Sequence, residues 1–556
     1  MHPLKPTRSQ LSIIAALLGG FASAAPARQD QVINPHAPPE PDPALLQHPP
    51  TGPRPPASAD APDHPPRSKP FTPTKLDMAA AYMRFERATL AAEHTPDATA
   101  RANREFDRAT FAFFRGDRAA AIADLNIGTL RIRGWSDHPA APVLPVVRVR
   151  VNPPVWTFFT QPAPSISIRT VSAARAAAPA TLSVVLERLP DPSDPPDTEP
   201  VSVQLSVPEP DADGSINATL DLAPFAPTLK PGRYDLSLTA LGGVKWPVGW
   251  WHVVSAPREA IREALSARLT AAAPGAPAGA VASARARLKL LSDHPSESSI
   301  AEFLADQYSL EGDLTREIAT IERARNPYAN KPGTTYRAFT SAGVNIPLWI
   351  HAPTTPAPDR PRPLVIALHG AGADESMFIY GYGDGLIRAI ADRRDVIVAS
   401  PLAYSFTLSS QVLDDLIATV SADYTVDASR IYLVGHSMGA IAATGLAQAR
   451  ASSIAGVVAI AGLRPLTPGT PSAPVLAFAA ELDQIIPARR VTAIGESARD
   501  AGLPVEVRQV AGAGHTLVVG SVLPDAFDWM LARSLPARAD ARRAGPARGG
   551  ASDAGK

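Results

Sequence analysis

Hydrophobic and polar positions change their spacing three times along this chain. Leu76, Met78, Tyr82, Met83, Phe85 and Leu90 recur mostly at helical spacings, and that period continues through 98–114 and 117–130, so three helices are predicted there. The pattern then shortens. Alternating runs over 143–151, 165–171, 181–186, 201–207, 218–222 and 234–238 are separated by Pro, Asp and Gly clusters, which is the spacing of a β-sandwich. Helical spacing returns over 257–325, interrupted at 274–277, and its charged positions, Glu317, Glu322 and Arg323 among them, read as a solvated face. From about residue 335, largely apolar runs at 345–351, 364–368, 396–399, 431–434, 457–460 and 475–478 alternate with helices, and 505–510 read as a further strand. Strands apolar on both sides belong to a mostly parallel sheet covered on both faces.

Length makes this a multidomain reading, because 556 residues exceed what one core usually serves. The expected division is a signal segment (1–24), a proline-rich disordered linker (25–73), a small helical module (74–135), a β-sandwich (140–255), a helical connector (256–330), an α/β domain (335–536) and a disordered tail (537–556). Lys5 and Arg8, the apolar stretch 11–18 and Ala22-Ser23-Ala24 have the order of a cleaved export signal, with cleavage after Ala24. That stretch is too short to span a bilayer, and no later one is long enough. The expected location is periplasmic or extracellular. Between Pro26 and Pro73, 16 of 48 residues are proline, so little apolar surface is available to offset ordering entropy. His36, His48 and His64 are spaced irregularly in it and read as solvated linker rather than a metal tract. Lys+Arg and Asp+Glu are equal at 53 each, which speaks against a nucleic-acid partner. The chain has no cysteine, so disulfides, thiolate metal sites and a cysteine nucleophile are excluded.

The chemistry is concentrated in the last domain. Gly435-His436-Ser437-Met438-Gly439 follows a buried strand and opens an Ala-rich helix, the context in which Gly-x-Ser-x-Gly makes a nucleophile elbow. A serine hydroxyl needs a base, and His515 is the only histidine after Ser437; it stands in the small-residue loop Gly512-Ala513-Gly514-His515-Thr516. Of the five acids between them, Glu496 and Asp500 fall on a helix and Glu506 in a strand. Glu481 and Asp483 occupy the loop after 475–478, and Asp483, a few residues before Pro487, is the choice, with Glu481 in reserve. The oxyanion donors are the N–H of Met438 and one from the loop after Leu368, at Ala371. His369 reads as a loop-shaping residue. Met377, Phe378, Tyr380 and Tyr382 either line an acyl or aromatic pocket or pack the first helix against the sheet. Trp246, Trp250 and Trp251 form either a carbohydrate platform or packing, and packing is the simpler reading.

Several stretches resemble known families. Phe113-Phe114-Arg115-Gly116-Asp117 with Ala119, Ala120, Ala121 and Leu125 looks like the second half of a tetratricopeptide repeat, without a second copy. Lys230-Pro231-Gly232-Arg233-Tyr234 resembles the turn into a strand of bacterial immunoglobulin-like accessory domains. Residues 335–536 resemble an α/β-hydrolase serine esterase of the polyhydroxybutyrate-depolymerase-like, feruloyl-esterase-like and dienelactone-hydrolase-like branch. The carrying stretches are Leu368-His369-Gly370-Ala371-Gly372, Val426-Asp427-Ala428-Ser429-Arg430-Ile431-Tyr432, the elbow, Asp483 and His515. The resemblance implies an exported serine carboxylesterase that uses Ser437, Asp483 and His515, an acyl-enzyme, and no metal or organic cofactor. Its substrate would be a small-molecule or polymer-derived ester. A serine where dienelactone hydrolases have cysteine disfavours that particular activity. The rival readings are a prolyl-oligopeptidase-like peptidase, for which the strand region is too small to be a propeller, and a binding protein with a vestigial hydrolase domain. In either case the accessory domains could engage a surface partner or glycan.

Overall fold

The computed structural model describes residues 72–92, 95–137, 147–157, 164–170, 182–188, 202–206, 216–219, 229–240, 245–296, 300–355 and 360–536. The expected signal segment, nearly all of the proline-rich stretch and the C-terminal tail lie outside the described residues.

Three helices come first. α1 (Lys75–Ala91) begins where Thr74 and Asp77 exchange hydrogen bonds, a reciprocal cap that satisfies two otherwise orphaned N–H groups. α2 (Pro96–Phe114) has Pro96 at its first position and the Thr95 hydroxyl on the N–H of Ala98. α3 (Arg118–Ile132) is capped by Asp117 on Ala120. Phe106 packs edge-on against Tyr82 and Phe85, with ring centroids 5.4 and 5.3 Å apart.

Eight strands follow: β1 (Val147–Asn152), β2 (Val155–Thr157), β3 (Ser165–Thr170), β4 (Leu182–Arg188), β5 (Ser202–Ser206), β6 (Ile216–Thr219), β7 (Gly232–Ala240) and β8 (Lys245–Val254). They form a three-stranded sheet, β1-β3-β6, and a five-stranded sheet, β2-β8-β7-β4-β5. The tryptophans lie on β8 and do not make a platform. Trp246 and Trp251 are buried, Trp251 donating to the carbonyl of Pro153 at 3.0 Å. Trp250 packs on Phe303 at 4.2 Å and under the guanidinium of Arg233 at 4.3 Å.

The connector consists of α4 (Arg258–Ala272), α5 (Ala278–Leu288), α6 (Ile300–Leu304) and α7 (Gln307–Ile321). Here one expectation fails. Glu317 is not on a solvated face; it is 4 % exposed and takes Tyr328 Oη at 2.9 Å, Lys331 Nζ at 2.5 Å and Arg287 Nε at 3.0 Å. Its three partners come from helix and loop positions that no local period connects.

The large sheet comprises β9 (Gly333–Ser341), β10 (Val344–Ala352), β11 (Arg362–Leu368), β12 (Ile397–Pro401), β13 (Val426–His436), β14 (Gly456–Ile460), β15 (Val475–Ala480) and β16 (Val505–Val510). Their order is β16-β15-β14-β13-β11-β12-β10-β9, parallel throughout except that β10 runs antiparallel to β9 and β12. This is the mostly parallel, helix-flanked sheet expected of an α/β-hydrolase. α9 (Gln411–Asp423), α10 (Met438–Ala449) and α11 (Ala488–Asp500) cover one face around Leu364, Ile366, Leu433 and Val457. α8 (Leu386–Arg394) and α12 (Val518–Leu531) cover the other.

That second face is where the N-terminal half of the chain belongs. One hydrophobic core runs from Phe85, Phe106 and Leu125 through Leu269, Leu288 and Ile318 to Val365, Val434, Phe378 and Phe527. The helical module and the connector therefore share a core with the hydrolase sheet, and all the described residues belong to one compact unit spanning 66–556. Polar bonds reinforce the join: Lys75 to Asp374 at 2.7 Å, Arg87 to Asp384 at 3.1 Å, and Arg337 of β9 to Ser283 of the connector at 2.9 Å. No helix among the described residues is long and apolar enough to cross a membrane.

Candidate active site

β13 runs directly into α10 with Ser437 at the corner, at φ 53° and ψ −115°. A non-glycine residue in that region is strained by about 1–3 kcal/mol, and such strain persists only where its surroundings impose it. They do so here. The N–H of Ser437 donates to the carbonyl of Ile460 at 2.9 Å, holding the corner against β14. A Cβ on Gly439 would fall on the carbonyl of Leu368, one on Gly435 would fall on the carbonyl of Gly439, and one on Gly462 would lie 2.7 Å from the Ser437 carbonyl. Glycine at these positions lets three backbones converge beneath the serine.

Asp483 follows β15. Its Oδ1 accepts the N–H groups of Ile485 and Ile486, each at 2.8 Å, which fixes the carboxylate and leaves Oδ2 facing the Nδ1 of His515 at 2.8 Å. The Nε2 of His515 stands 3.1 Å from the Oγ of Ser437. Because a carboxylate only accepts, the proton of His515 belongs on Nδ1, and Nε2 is free to accept from the serine. The three residues chosen from sequence thus form one hydrogen-bonded line, at 7, 5 and 2 % exposure for Ser437, Asp483 and His515. Glu481, the reserve acid, faces outward and accepts the N–H of Gly512 at 2.7 Å.

The turn after β11 stands beside the nucleophile: a Cβ on Gly370 would lie 3.4 Å from that of Ser437. The N–H groups flanking Ala371 are both engaged, Gly370 with Tyr382 Oη at 3.4 Å and Gly372 with Tyr404 Oη at 2.8 Å. Met438 is the first residue of α10, so its N–H has no acceptor within its own helix. His369 shapes this turn as expected. Its Nδ1–H donates to the Gly370 carbonyl at 2.8 Å, its Nε2 accepts from Ala403 at 3.0 Å, and burial pushes its pKa down to about 4.

The pocket-lining reading of Met377, Phe378, Tyr380 and Tyr382 gives way to packing. They sit on a π-helical turn (Met377–Gly381) and the 3-10 turn that follows it (Tyr382–Asp384), whose side chains face the shared core: Phe378 and Tyr382 are fully buried in it, and Met377 and Tyr380 pack against its edge. Tyr380 lies between Trp349, at 5.1 Å, and Arg388, at 4.9 Å. Tyr382 has a polar task instead. Its hydroxyl donates to the Nδ1 of His436 at 2.7 Å, and the Nε2–H of His436 donates to the main-chain carbonyl of His515 at 2.9 Å. Burial drives His436 well below the ordinary histidine pKa, so it serves as a neutral bridge.

Sequence reasoning missed a further contribution, from α2. The Oδ1 of Asn103 accepts the N–H of Gly514 at 2.6 Å, and the carboxylate of Asp107 accepts that of His515 at 3.0 and 3.3 Å. Both side chains are buried, and burial pushes the Asp107 carboxyl up to about 7. At the end of the same helix the ring of Phe113 occupies the space that a Cβ on Gly372 would need. Two polar residues four apart on the buried side of a helix, among Ala102, Phe106 and Ala109, were the available signal.

Residues 392–521, which include Ser437, Asp483 and His515, match the model of the dienelactone hydrolase family. No curated protein sequence matches the chain. Among solved structures, FphF, a fluorophosphonate-binding serine hydrolase of Staphylococcus aureus, is 14% identical, with 36% of this chain and 99% of that one covered and a TM-score of 0.31. A thermostable esterase is 13% identical, with 70% and 99% covered and a TM-score of 0.34. A ferulic acid esterase of Anaeromyces mucronatus is 14% identical, with 34% and 87% covered and a TM-score of 0.30. The matched segment makes residues 392–521 similar to the dienelactone hydrolase family, and the mostly parallel, helix-flanked sheet that contains them is consistent with an α/β-hydrolase fold.

Proposed function

We propose that the protein is an exported carboxylesterase working through Ser437, His515 and Asp483 and an acyl-enzyme. The observation that carries this reading is the line Ser437 Oγ, His515 Nε2, His515 Nδ1, Asp483 Oδ2, with spacings of 3.1 and 2.8 Å, on a strained elbow. The Oγ of Ser437 attacks the ester carbonyl as its proton passes to His515 Nε2. Asp483 holds the imidazole tautomer and stabilises the imidazolium. The N–H groups of Met438 and Ala371 receive the oxyanion. Alcohol leaves with the proton from His515; water, activated by the same nitrogen, then frees the acid. Export rests on the basic, apolar and small-residue order of the first 24 residues.

The test is hydrolysis of p-nitrophenyl acetate, butyrate and octanoate, beside a peptide p-nitroanilide, by the full-length protein and Ser437→Ala. Ester turnover lost in the variant is the expected result, and the chain-length profile measures the acyl site. Anilide cleavage exceeding ester cleavage would replace the esterase with a peptidase. Export is checked by the mass of protein recovered from the periplasm or medium, with an N-terminus at Ala25 expected.

A further inference from the structure

Fixing a catalytic histidine requires more than its ring contacts. The Cα–Cβ direction of His515 is set by the peptide planes on either side of it. Asn103 and Asp107 take the N–H groups of two consecutive residues, Gly514 and His515, so α2 grips the backbone on the upstream side. His436 takes the carbonyl of His515 on the downstream side. The fit is close: a Cβ on Gly514 would lie 2.9 and 3.0 Å from the two Asp107 oxygens and 3.1 Å from the Cβ of Asn103. Asp107 is 1 % exposed, and among the described residues no Lys or Arg forms an ion pair with it. A buried carboxylate without a cation is costly, and the backbone N–H groups of His515 and of Gln484, the residue after Asp483, hold it in place. Ordinary docking of a helix does not need such a group, since apolar contacts and the exposed Arg87–Asp384 pair already join the two parts.

We propose that Asp107 is a positioning residue for His515, supplied to the active site by the N-terminal helix Pro96–Phe114. The inference rests on the hydrolytic reading of Ser437, His515 and Asp483. A misplacement of about 1 Å can cost on the order of 100-fold in rate, and loss of the Asp107 acceptor leaves the His515 N–H buried and unpaired.

The test compares Asp107→Leu, which keeps the size and removes the acceptors, with Asp107→Asn, which keeps an acceptor. Arg87→Ala serves as a docking control. On the best p-nitrophenyl ester, Asp107→Leu is expected to lower kcat about 10- to 100-fold with KM within about threefold. Asp107→Asn should recover most of that loss, and Arg87→Ala should keep the wild-type kcat. A folded Asp107→Leu with kcat within twofold of wild type would overturn the proposal, as would equal losses in Asp107→Leu and Asp107→Asn. A kcat loss in Arg87→Ala matching that of Asp107→Leu would also overturn it. If Asp107→Leu does not fold, Asn103→Ala takes its place with a several-fold loss expected, and no loss there overturns the idea.

A second readout is independent of substrate: the far-downfield proton of the His515 Nδ1–H to Asp483 bond, assigned by its absence in His515→Ala. It should persist in Asp107→Asn and disappear in Asp107→Leu; persistence in Asp107→Leu counts against the proposal. If no ester is turned over by the wild type, the hydrolytic reading falls, while this proton still decides on Asp107.

Discussion

The hydroxyl of Tyr382 stands 2.7 Å from the Nδ1 of His436, and that bond connects the turn at Gly370 to the loop of His515. Tyr382→Phe leaves a buried imidazole nitrogen without its donor and frees the Gly370 N–H. An unsatisfied buried group costs about 1–3 kcal/mol. The expected outcome is a kcat reduced about tenfold with a stable fold, checked by steady-state ester hydrolysis beside thermal melting.

Gly439 sits where the elbow meets the end of β11. Because an added Cβ would coincide with the Leu368 carbonyl, Gly439→Ala is expected to abolish activity or prevent folding. Gly275→Ala, in a turn with nothing within 4 Å of the new methyl, should leave both unchanged. Soluble yield and ester turnover of the two variants provide the comparison.

Arg337 and Asp423 form a buried pair, and the guanidinium also donates to Ser283 at 2.9 Å and lies 4.0 Å from the Tyr328 ring centroid. Removing one partner strands the other charge, an effect of about 3–5 kcal/mol. Asp423→Ala should show a loss of that size in chemical denaturation. Glu322→Ala, which breaks the exposed pair with Arg268, should leave the denaturation midpoint essentially unchanged.

Glu86 supplies a pH dependence. Burial pushes its carboxyl up to about 7, although Tyr82 Oη at 2.5 Å and the N–H of Gly383 favour the charged form, and Asp384 adds to the rise. A carboxyl whose folded pKa is raised binds its proton more tightly in the fold. Its favourable contribution is therefore complete below the unfolded pKa near 4.5 and is lost as pH rises through 7. Melting temperatures at pH 6 and 8.5 test this: Glu86→Gln should lose less stability over that interval than the wild type.

The hydrogen-bonded line of Ser437, His515 and Asp483 was readable because its signals are local or countable. A serine between glycines after a buried strand, a lone histidine downstream and an acid in the loop after β15 each carry their context within a few residues. The strand at Val505–Val510 was equally plain, with valines at its ends and at position 507 between turns. Contacts made across the chain were not readable in this way. Glu317 looked solvated because its partners Arg287, Tyr328 and Lys331 lie on other turns of the chain. The aromatic residues at 377–382 follow the turn at Gly370 in sequence, yet the π-helical turn at Met377–Gly381 directs them toward a core built partly from residues 81–125. Asn103 and Asp107 were visible only as polar residues on the inner side of a helix, and the loop they hold is some four hundred residues away.

The shared core has a consequence for how the protein is made. Residues 75–132 leave the ribosome long before most of the connector, strands and helices that share their core. Asp107 and His515 are 408 residues apart. At about 5–20 residues per second, that separation is roughly 20–80 s of synthesis. Over that interval the connector and the strands of the shared core are added one after another, and the part of that core on α12 comes last. Completing the histidine loop and closing over the N-terminal helices are then one event, and the enzyme acquires its activity and its finished core together.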